Sequence, residues 1–449
     1  MPVPTRLRRL LPAALPALLA VALAACSTTT YPNSVFTHTT EFNREVGYLF
    51  KILITLGTFV FIFVEGILLY AIWRFRRKSD SDRPEHVHGN TTLEILWTAI
   101  PALILAFIAV PTVQTIFKTQ AVAKSDALQV QVIGHQWWWE FRYPQYNFVT
   151  ANELYLPIGR TVNFSLKSND VLHSFSIPRL GGKRDLITNH ENFLWFTPDS
   201  VGESAFNGMC AEYCGASHAN MRFKVFTVAP ADFEAWTQHQ QSMAAFGGIA
   251  PAAPATSISP AASTTPAATP PGRSPGTSPM GGAQAASAAM PAMPGHDMSS
   301  MPAAVHSDFV SFPHEKLPDF VIPKTPIPGG LTWNESIVGD AERGRDFVSK
   351  GGGACVGCHT IHGNPTMMGV MGPNLTHVGT RTTIAGGIYP NDTKHLALWI
   401  KNARYMKPGV IMPTLGAFQR DPMTNQTVPQ SGLSDQQIAD IVAYLQALK

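Results

Sequence analysis

The chain has 449 residues, enough for two or three domains, and its formal net charge of +3 is too small to predict a nucleic-acid partner. Its five cysteines stand apart as Cys26, the pair Cys210 and Cys214, and the pair Cys355 and Cys358, so they do not predict the disulfide framework of a small secreted domain. The sequence contains no phosphate-binding loop or dinucleotide-binding fingerprint, so nothing indicates a nucleotide-binding enzyme.

Residues 1–25 predict an export signal. Three arginines precede a short apolar stretch that is broken by proline and ends in Leu-Ala-Ala-Cys at residues 23–26. This ending resembles the lipobox of bacterial lipoproteins, which implies that Cys26 is lipidated after cleavage. The alternative is an ordinary signal peptide in which Cys26 is incidental. Residues 26–51 would then be an exterior N-terminal segment.

Residues 52–117 predict a hairpin of two transmembrane helices. The apolar stretches 52–73 and 93–117 each exceed the roughly 20 residues that a helix needs to cross a bilayer. The loop between them is basic and therefore cytoplasmic, which places everything after Phe117 on the periplasmic side of a bacterial plasma membrane. Glu65 lies inside the first span, where a carboxylate is costly, so we expect it to face a helix of a larger membrane partner.

Residues 118–240 predict an all-β sandwich or barrel, because several segments alternate apolar and polar side chains with a period of two. Residues 241–332 are rich in Pro, Ala, Ser and Met and predict a disordered linker, which would hold the following domain at high effective concentration. Order is expected again from residue 333, and the chain should end in a helix capped by Ser434 and Gln437.

The end of the linker contains thioethers and an imidazole that could bind copper(I): Met290, Met293, His296, Met298 and Met301. Compositional drift in a linker rich in Pro, Ala and Met is the alternative interpretation.

The segment CAEYCGASHANM at residues 210–221 concentrates two thiols, an imidazole and a thioether. Thiolate and imidazole are strong copper ligands, a thioether tunes the potential, and His173 after an earlier strand could add a second imidazole. Two thiols four residues apart can bridge two copper ions, which favours a binuclear centre for electron transfer. Tetrahedral zinc held by two cysteines and two histidines, or a disulfide between the cysteines, are the alternatives.

The same segment, with GHQWWWEFRYP at residues 134–144, ANELYLPIGR and DVLHSFSIP, resembles subunit II of cytochrome c oxidase, the subunit of haem–copper terminal oxidases that carries the CuA centre. The resemblance runs from the first span to about Pro230 and implies a cupredoxin-like sandwich. It implies that CuA is held by the side chains of His173, Cys210, Cys214, His218 and Met221 and by the backbone carbonyl of Glu212.

The resemblance implies roles for three further groups. The side chain of Glu212 would lie near a Mg²⁺ shared with the catalytic subunit, electrons would arrive at Trp137, and Glu94 would stand at the entrance of a proton channel. Each of the last two residues has a simpler alternative. Trp137 could be part of an aromatic core, and Glu94 could be a carboxylate that the helix dipole favours in a first turn.

CVGCH at residues 355–359 is the signature of covalent haem c attachment, in which Cys355 and Cys358 bond the haem and His359 coordinates the iron. A thioredoxin-like pair is the alternative, but no βαβ pattern surrounds it. We expect Met412, stiffened by neighbouring prolines, as the second axial ligand rather than Met406. Residues 333–449 would then form an all-α domain similar to class I cytochromes c.

These resemblances imply the electron-input subunit of a proton-pumping cytochrome c oxidase, with binuclear copper, covalent haem c and a possible interface Mg²⁺. Its partners would be the catalytic haem–copper subunit I, other oxidase subunits, membrane lipid, and an external donor such as cytochrome c or an upstream respiratory complex. Oxygen chemistry would belong to the whole complex. The alternatives are the input subunit of a CuA-type nitric oxide reductase and a membrane-anchored copper-delivery protein.

Overall fold

A computed structural model of the chain describes residues 33–36, 39–77, 79, 88–120, 125–199, 204–244 and 308–449. The export signal with Cys26, the end of the linker that is rich in Met and His, and part of the predicted cytoplasmic loop lie outside the described residues.

Two long apolar helices form the hairpin, α1 over Glu41–Arg74 and α2 over Thr91–Gln120. Both are long and apolar enough to cross a membrane, and their central side chains are exposed, as lipid contact requires. Helix α1 begins well before the predicted span, because the hydroxyl of Thr40 accepts a hydrogen bond from the amide of Asn43 and caps the helix. Part of the segment predicted as 26–51 is therefore helix. Asn43 donates to the Pro178 carbonyl at 3.1 Å, which ties this first turn to the following domain.

Ten strands form the predicted sandwich. They are β1 Leu128–His135, β2 Trp138–Tyr143, β3 Phe148–Ala151, β4 Glu153–Pro157, β5 Val162–Ser168, β6 His173–Ser176, β7 Lys183–Leu186, β8 Asn192–Phe196, β9 Ser204–Cys210 and β10 Arg222–Val228. One sheet has the order β3-β2-β1-β5-β8 and the other the order β4-β10-β9-β6-β7. The pairs β1–β5 and β4–β10 are parallel, and the remaining pairs are antiparallel.

The alternation read from the sequence is seen in β1, whose buried and half-buried residues alternate along the whole strand. Trp139, Phe141, Phe175 and Phe223 pack edge to face or stacked between the two sheets and fill the core. Helix α3, Pro230–Gln241, closes one end of the sandwich through buried Phe233.

The linker predicted as 241–332 ends earlier than the sequence indicates. Residues 308–321 run along the sandwich, where Phe312 and Val321 are each 1% exposed, and Leu331 further on packs in the core of the C-terminal domain. The amide of Phe312 donates to the Tyr155 hydroxyl at 3.0 Å, and the ammonium of Lys224 donates to the Val321 carbonyl at 2.6 Å. The sequence placed the end of the linker too late, because a few separate buried residues on an extended, proline-rich segment produce no periodic pattern of apolar side chains.

The C-terminal domain contains helices α4 Ala341–Ser349, α5 Thr393–Lys401, α6 Ala403–Met406 and α7 Asp435–Ala447. The predicted cap of α7 is confirmed, since Ser434 and Gln437 form a reciprocal capping box. Helices α4 and α7 pack together and are joined by two hydrogen bonds from Arg343 to Asp440, 3.0 and 2.9 Å long. A pair of two-residue strands, Thr383–Ile384 and Tyr389–Pro390, interrupts the otherwise helical domain.

Candidate metal and haem sites

The two cysteines of the CAEYCGASHANM segment lie side by side at the end of the sandwich. Cys210 is the last residue of β9, and its Sγ lies 3.8 Å from the Sγ of Cys214, which is well beyond the roughly 2.05 Å of a disulfide. The loop can return because Gly215 adopts φ +111°, a left-handed conformation that favours glycine. Both thiols are buried and free, so the disulfide alternative does not describe this structure.

Each thiol has one imidazole beside it. The Nδ1 of His173 lies 3.9 Å from Cys210 Sγ, and the Nδ1 of His218 lies 3.6 Å from Cys214 Sγ. The Nε2 of His173 is held by Asp170 at 2.7 Å, which leaves Nδ1 to face the thiols. The ring fits only because β1 has Gly134 opposite it, where a Cβ atom would stand 2.7 Å from His173 Cδ2.

The thioether of Met221 and the backbone carbonyl of Glu212 each contact a different thiol. The Sδ of Met221, a fully buried side chain, is 3.7 Å from Cys214 Sγ, and the carbonyl of Glu212 accepts from Cys210 Sγ at 3.1 Å. The side chain of Glu212 is exposed. Hydrogen bonding from Cys214 holds the pKa of the Cys210 thiol well below its usual range although burial opposes it, and the same hydrogen bond raises the pKa of Cys214, so the pair shares one proton and carries one thiolate before a metal binds.

This donor set fits copper better than zinc. Two imidazoles, a thioether and a carbonyl each lie 3.1–3.9 Å from one of the two Sγ atoms, whereas tetrahedral zinc needs only four N or S ligands and would leave Met221 without a role. The structure thus brings together all six groups that the resemblance implies for CuA.

The CVGCH segment lines a cavity in the C-terminal domain, which we call the haem cavity. It measures about 1530 Å³ with its open mouth included, and its walls include Cys355, Cys358, His359 and Met412. The Nδ1 of His359 bonds the Pro373 carbonyl at 2.8 Å, so Nε2 is left for iron. Burial lowers the pKa of His359, which keeps the ring in the neutral form that coordinates metal.

The structure separates the two candidate axial methionines. Met412 lines the haem cavity, whereas Met406 is buried outside its wall and its carbonyl accepts a hydrogen bond from the Tyr389 hydroxyl at 3.0 Å. Met367 and Met371, which the sequence did not favour, also line the cavity. The walls are apolar and wide enough for a porphyrin, and the residues present fit a covalently bound haem.

Trp137 stands between the two sites. Its ring lines the haem cavity, and its Nε1 donates to the carbonyl of Cys214 at 3.0 Å. Gln136 does the same, since its Nε2 donates to that carbonyl at 2.8 Å and its side chain also lines the cavity. Trp138 lines the cavity and stacks on His135, while Trp139 is a core residue of the sandwich. Only the first tryptophan of the run touches both sites.

Three buried contacts hold the haem-containing domain against the sandwich, and we call them the domain seam. The ammonium of Lys407 donates to the carbonyls of Trp137 and Ala385 at 2.7 and 2.8 Å. The carboxylate of Glu153 accepts hydrogen bonds from two adjacent threonines, Thr382 and Thr383. The hydroxyl of Ser217 donates to the Pro408 carbonyl.

Burial lowers the pKa of Lys407 to about 7 and raises the pKa of Glu153. Sequence reasoning missed both residues, because their partners lie far along the chain. The one signal in the sequence was a carboxylate, Glu153, at the start of the otherwise uncharged segment ELYLP.

Glu94 lies in the first turn of α2, an element that contributes to neither site, and its proton role remains a prediction. Cys26, the predicted lipidation site, lies outside the described residues.

Three segments match known families. Residues 36–115 match the transmembrane domain of cytochrome c oxidase subunit II, residues 148–228 match its periplasmic domain, and residues 341–449 match cytochrome c. A hairpin, a sandwich with a thiol–imidazole cluster and a cytochrome c domain define a membrane-anchored redox protein.

Three relatives are each described as cytochrome c oxidase subunit 2. The protein from Alkalihalophilus pseudofirmus is 28% identical over 87% of this chain and 83% of its own length. That from Arabidopsis thaliana is 31% identical over 40% of this chain and 78% of its own length, and that from Bacillus subtilis is 42% identical over 39% and 53%. The match to the Arabidopsis thaliana protein shows that the chain belongs to the cytochrome c oxidase subunit 2 family. The match to the Alkalihalophilus pseudofirmus protein extends into the C-terminal cytochrome c domain.

Proposed function

We propose that the chain is the electron-input subunit of a proton-pumping cytochrome c oxidase, and that single electrons pass from an external donor through haem c and CuA to a catalytic haem–copper subunit that reduces oxygen to water. The observation that carries this proposal is the position of Trp137, which lines the haem cavity and is hydrogen-bonded to the thiol loop. One side chain thus spans the distance between the two sites.

The proposal assigns each group to residues of the chain. Cys355 and Cys358 would bond the haem covalently, and His359 and Met412 would ligate its iron. The six groups around the two thiols would hold two copper ions. When bound, both groups supply one-electron redox chemistry, and neither set of ligands leaves an open position for a substrate.

The residues between the two sites keep the electron-transfer path short and exclude water from it. Trp137 is 8% exposed because Lys407 and its neighbours cover it, and Gly409 stands against the edge of the indole ring. Gln136 and Trp137 both donate to the Cys214 carbonyl, so the cavity wall fixes the position of the thiol loop. These buried contacts support transfer within a docked pair of domains, in which the linker is not required to carry the haem to the copper.

The proposal also places the chain within a larger complex. The outer faces of α1 and α2 are exposed along their length, and Glu65 lies in the middle of α1. Helices of the catalytic subunit and other oxidase subunits would cover these faces, in a bacterial plasma membrane with the sandwich on the periplasmic side. Membership of the subunit 2 family supports this assembly.

Purification of the native membrane complex tests the proposal. We expect two copper ions per chain beyond those of the catalytic subunit, one covalent haem c, an electron paramagnetic resonance signal shared over two coppers, and oxygen uptake with a reduced donor. Nitric oxide turnover without oxygen uptake would reject the oxidase in favour of a reductase. Binding of a single metal ion at the thiol cluster would reject the binuclear centre.

A further inference from the structure

Two histidine rings meet where the sandwich touches the C-terminal domain. His239 stands in the last turn of α3, the helix that closes one end of the sandwich, and His377 lies in the C-terminal domain just before the turn Val378–Thr380. Their ring centroids are 4.3 Å apart, and the ring planes are tilted by 45°. The thiol cluster and the walls of the haem cavity are built from other residues, so this pair is separate from both redox sites.

Each of the two rings has one buried nitrogen without a hydrogen-bond partner in the described part of the chain. These atoms are the Nε2 of His239 and the Nδ1 of His377. The His377 residue is only 3% exposed, so bulk water does not replace the missing partner. Buried polar atoms are nearly always paired in folded proteins, and two orphaned nitrogens in rings that touch therefore point to a group that completes both.

The other nitrogen of His377 fixes this ring in the form that a metal binds. Its Nε2 lies 3.2 Å from the Ser242 carbonyl, and a carbonyl can only accept, so the proton is on Nε2 and Nδ1 carries a lone pair. Histidines that bind a metal usually donate their second nitrogen to a carbonyl or carboxylate in this way. In the same chain, His359 is held through its Nδ1 by the Pro373 carbonyl.

A proton is a poor occupant of these nitrogens. Burial lowers the pKa of His239, and burial together with the positive charges of His239 and Arg381 lowers the pKa of His377 to about 4. Both rings are therefore neutral near pH 7. A neutral imidazole is the form that coordinates a metal ion.

The surroundings of the pair limit how tightly an ion is held. No third thiol, imidazole or carboxylate among the described residues completes a ligand set here. Water can do so, since a pocket of about 760 Å³, its open mouth included, adjoins His377. Arg381 lines the same pocket, and its positive charge opposes a cation. The site therefore suits an exchangeable ion, in contrast to structural zinc, which four protein ligands enclose.

We infer that His239 and His377 form a site for an exchangeable divalent cation that prefers imidazole nitrogen, such as Zn²⁺ or Cu²⁺. Mg²⁺ and Ca²⁺ are excluded by the donor atoms, because both prefer oxygen ligands. One imidazole comes from the sandwich and the other from the C-terminal domain, so a bound ion links the two domains. It stabilises the docked arrangement without contact to either redox site.

Zinc binding to the intact purified oxidase complex tests the inference. Equilibrium dialysis against Zn²⁺, followed by metal analysis, gives the number of exchangeable ions and their dissociation constants. The variants are His239→Gln and His377→Gln, and the matched control is His190→Gln, because His190 is exposed in the loop between β7 and β8. Each variant should bind one Zn²⁺ fewer per chain, or bind that ion about tenfold or more weakly, while the control binds as the wild type does.

Two further measurements identify the ligands and the link between domains. The difference between the zinc-edge X-ray absorption spectra of wild type and His239→Gln should show imidazole nitrogen together with oxygen. In calorimetry, Zn²⁺ should raise the unfolding temperature of the wild type and of His190→Gln more than that of either variant, because only a bound ion stabilises the folded state. Neither readout depends on electron transfer, so the inference stands or falls independently of the proposed function.

Equal zinc binding by the wild type and both variants would overturn the inference. Loss of the ion in one variant but not in the other would also overturn it, because the ion would then not be shared between the two domains. The haem c absorption spectrum of each variant checks that it has folded. If His377→Gln does not fold, the comparison of the half-buried His239 with His190 decides the question alone.

Discussion

Replacement of Glu153 by alanine should weaken the contact between the haem-containing domain and the sandwich. One oxygen of this carboxylate accepts hydrogen bonds from the amide of Thr382 at 2.7 Å, its hydroxyl at 2.6 Å, the amide of Thr383 at 3.1 Å and its hydroxyl at 3.4 Å. All three side chains are buried. The hydroxyls can turn to other acceptors, but the two amides cannot, so Glu153→Ala leaves two buried donors without a partner.

The magnitude follows from those two amides. A buried donor that loses its acceptor costs about 1–3 kcal/mol, so Glu153→Ala should weaken the seam by about 2–6 kcal/mol. Burial removes this carboxylate from water, which raises the pKa of Glu153 and is itself unfavourable, so removal of the carboxylate offsets part of the loss. We therefore expect a value near the lower end. Glu153→Gln retains a carbonyl oxygen and should cost about 1 kcal/mol.

Two measurements check this prediction on the purified complex. Calorimetry should show a lower unfolding temperature for Glu153→Ala, and stopped-flow reduction should show haem c reduced at the normal rate but CuA reduced late. Glu335→Ala is the control, because Glu335 forms an ion pair with Lys394 that is exposed to solvent and contributes little to stability. If alanine leaves both readouts unchanged, or glutamine costs as much as alanine, the four hydrogen bonds do not hold the seam.

Four further predictions concern the two sites and one buried histidine. Cys210→Ser should abolish the electron paramagnetic resonance signal shared over two coppers, and its survival would contradict bridging thiolates. Met412→Leu should leave haem c covalently bound but remove the absorption band of methionine-ligated ferric haem, and a retained band would assign another ligand. Trp137→Phe should slow reduction of CuA by haem c in flash experiments, whereas Trp138→Phe should not; equal rates would remove Trp137 from the route. Burial lowers the pKa of His377 to about 4, so the folded chain holds fewer protons there than the unfolded chain, and the free energy of unfolding should fall as the pH drops from about 6.5 towards 4. His377→Gln should flatten that slope in calorimetry, and an unchanged slope would assign it to other groups.

The sequence alone determined the features whose chemistry is local. CVGCH and CAEYCGASHANM each place their thiols and following imidazole within one short segment, so spacing suffices to predict what they can hold. The spans of α1 and α2 were likewise evident, because a bilayer demands a continuous apolar stretch of defined length. The cap of α7 was readable for the same reason, since both capping residues lie within one turn.

Tertiary structure decided the features that depend on distant segments. The prolines beside Met412 favoured it over Met406 in the sequence, but only the packing of the domain decides that Met412 lines the cavity and Met406 does not. In the sequence, Glu153 and Lys407 do not differ from other charged residues. In the folded chain, partners far along the chain bury both of them in the domain seam. Hydrogen bonds and apolar contacts act over a few ångströms whatever the separation along the chain, so a contact between remote segments leaves no pattern in either one.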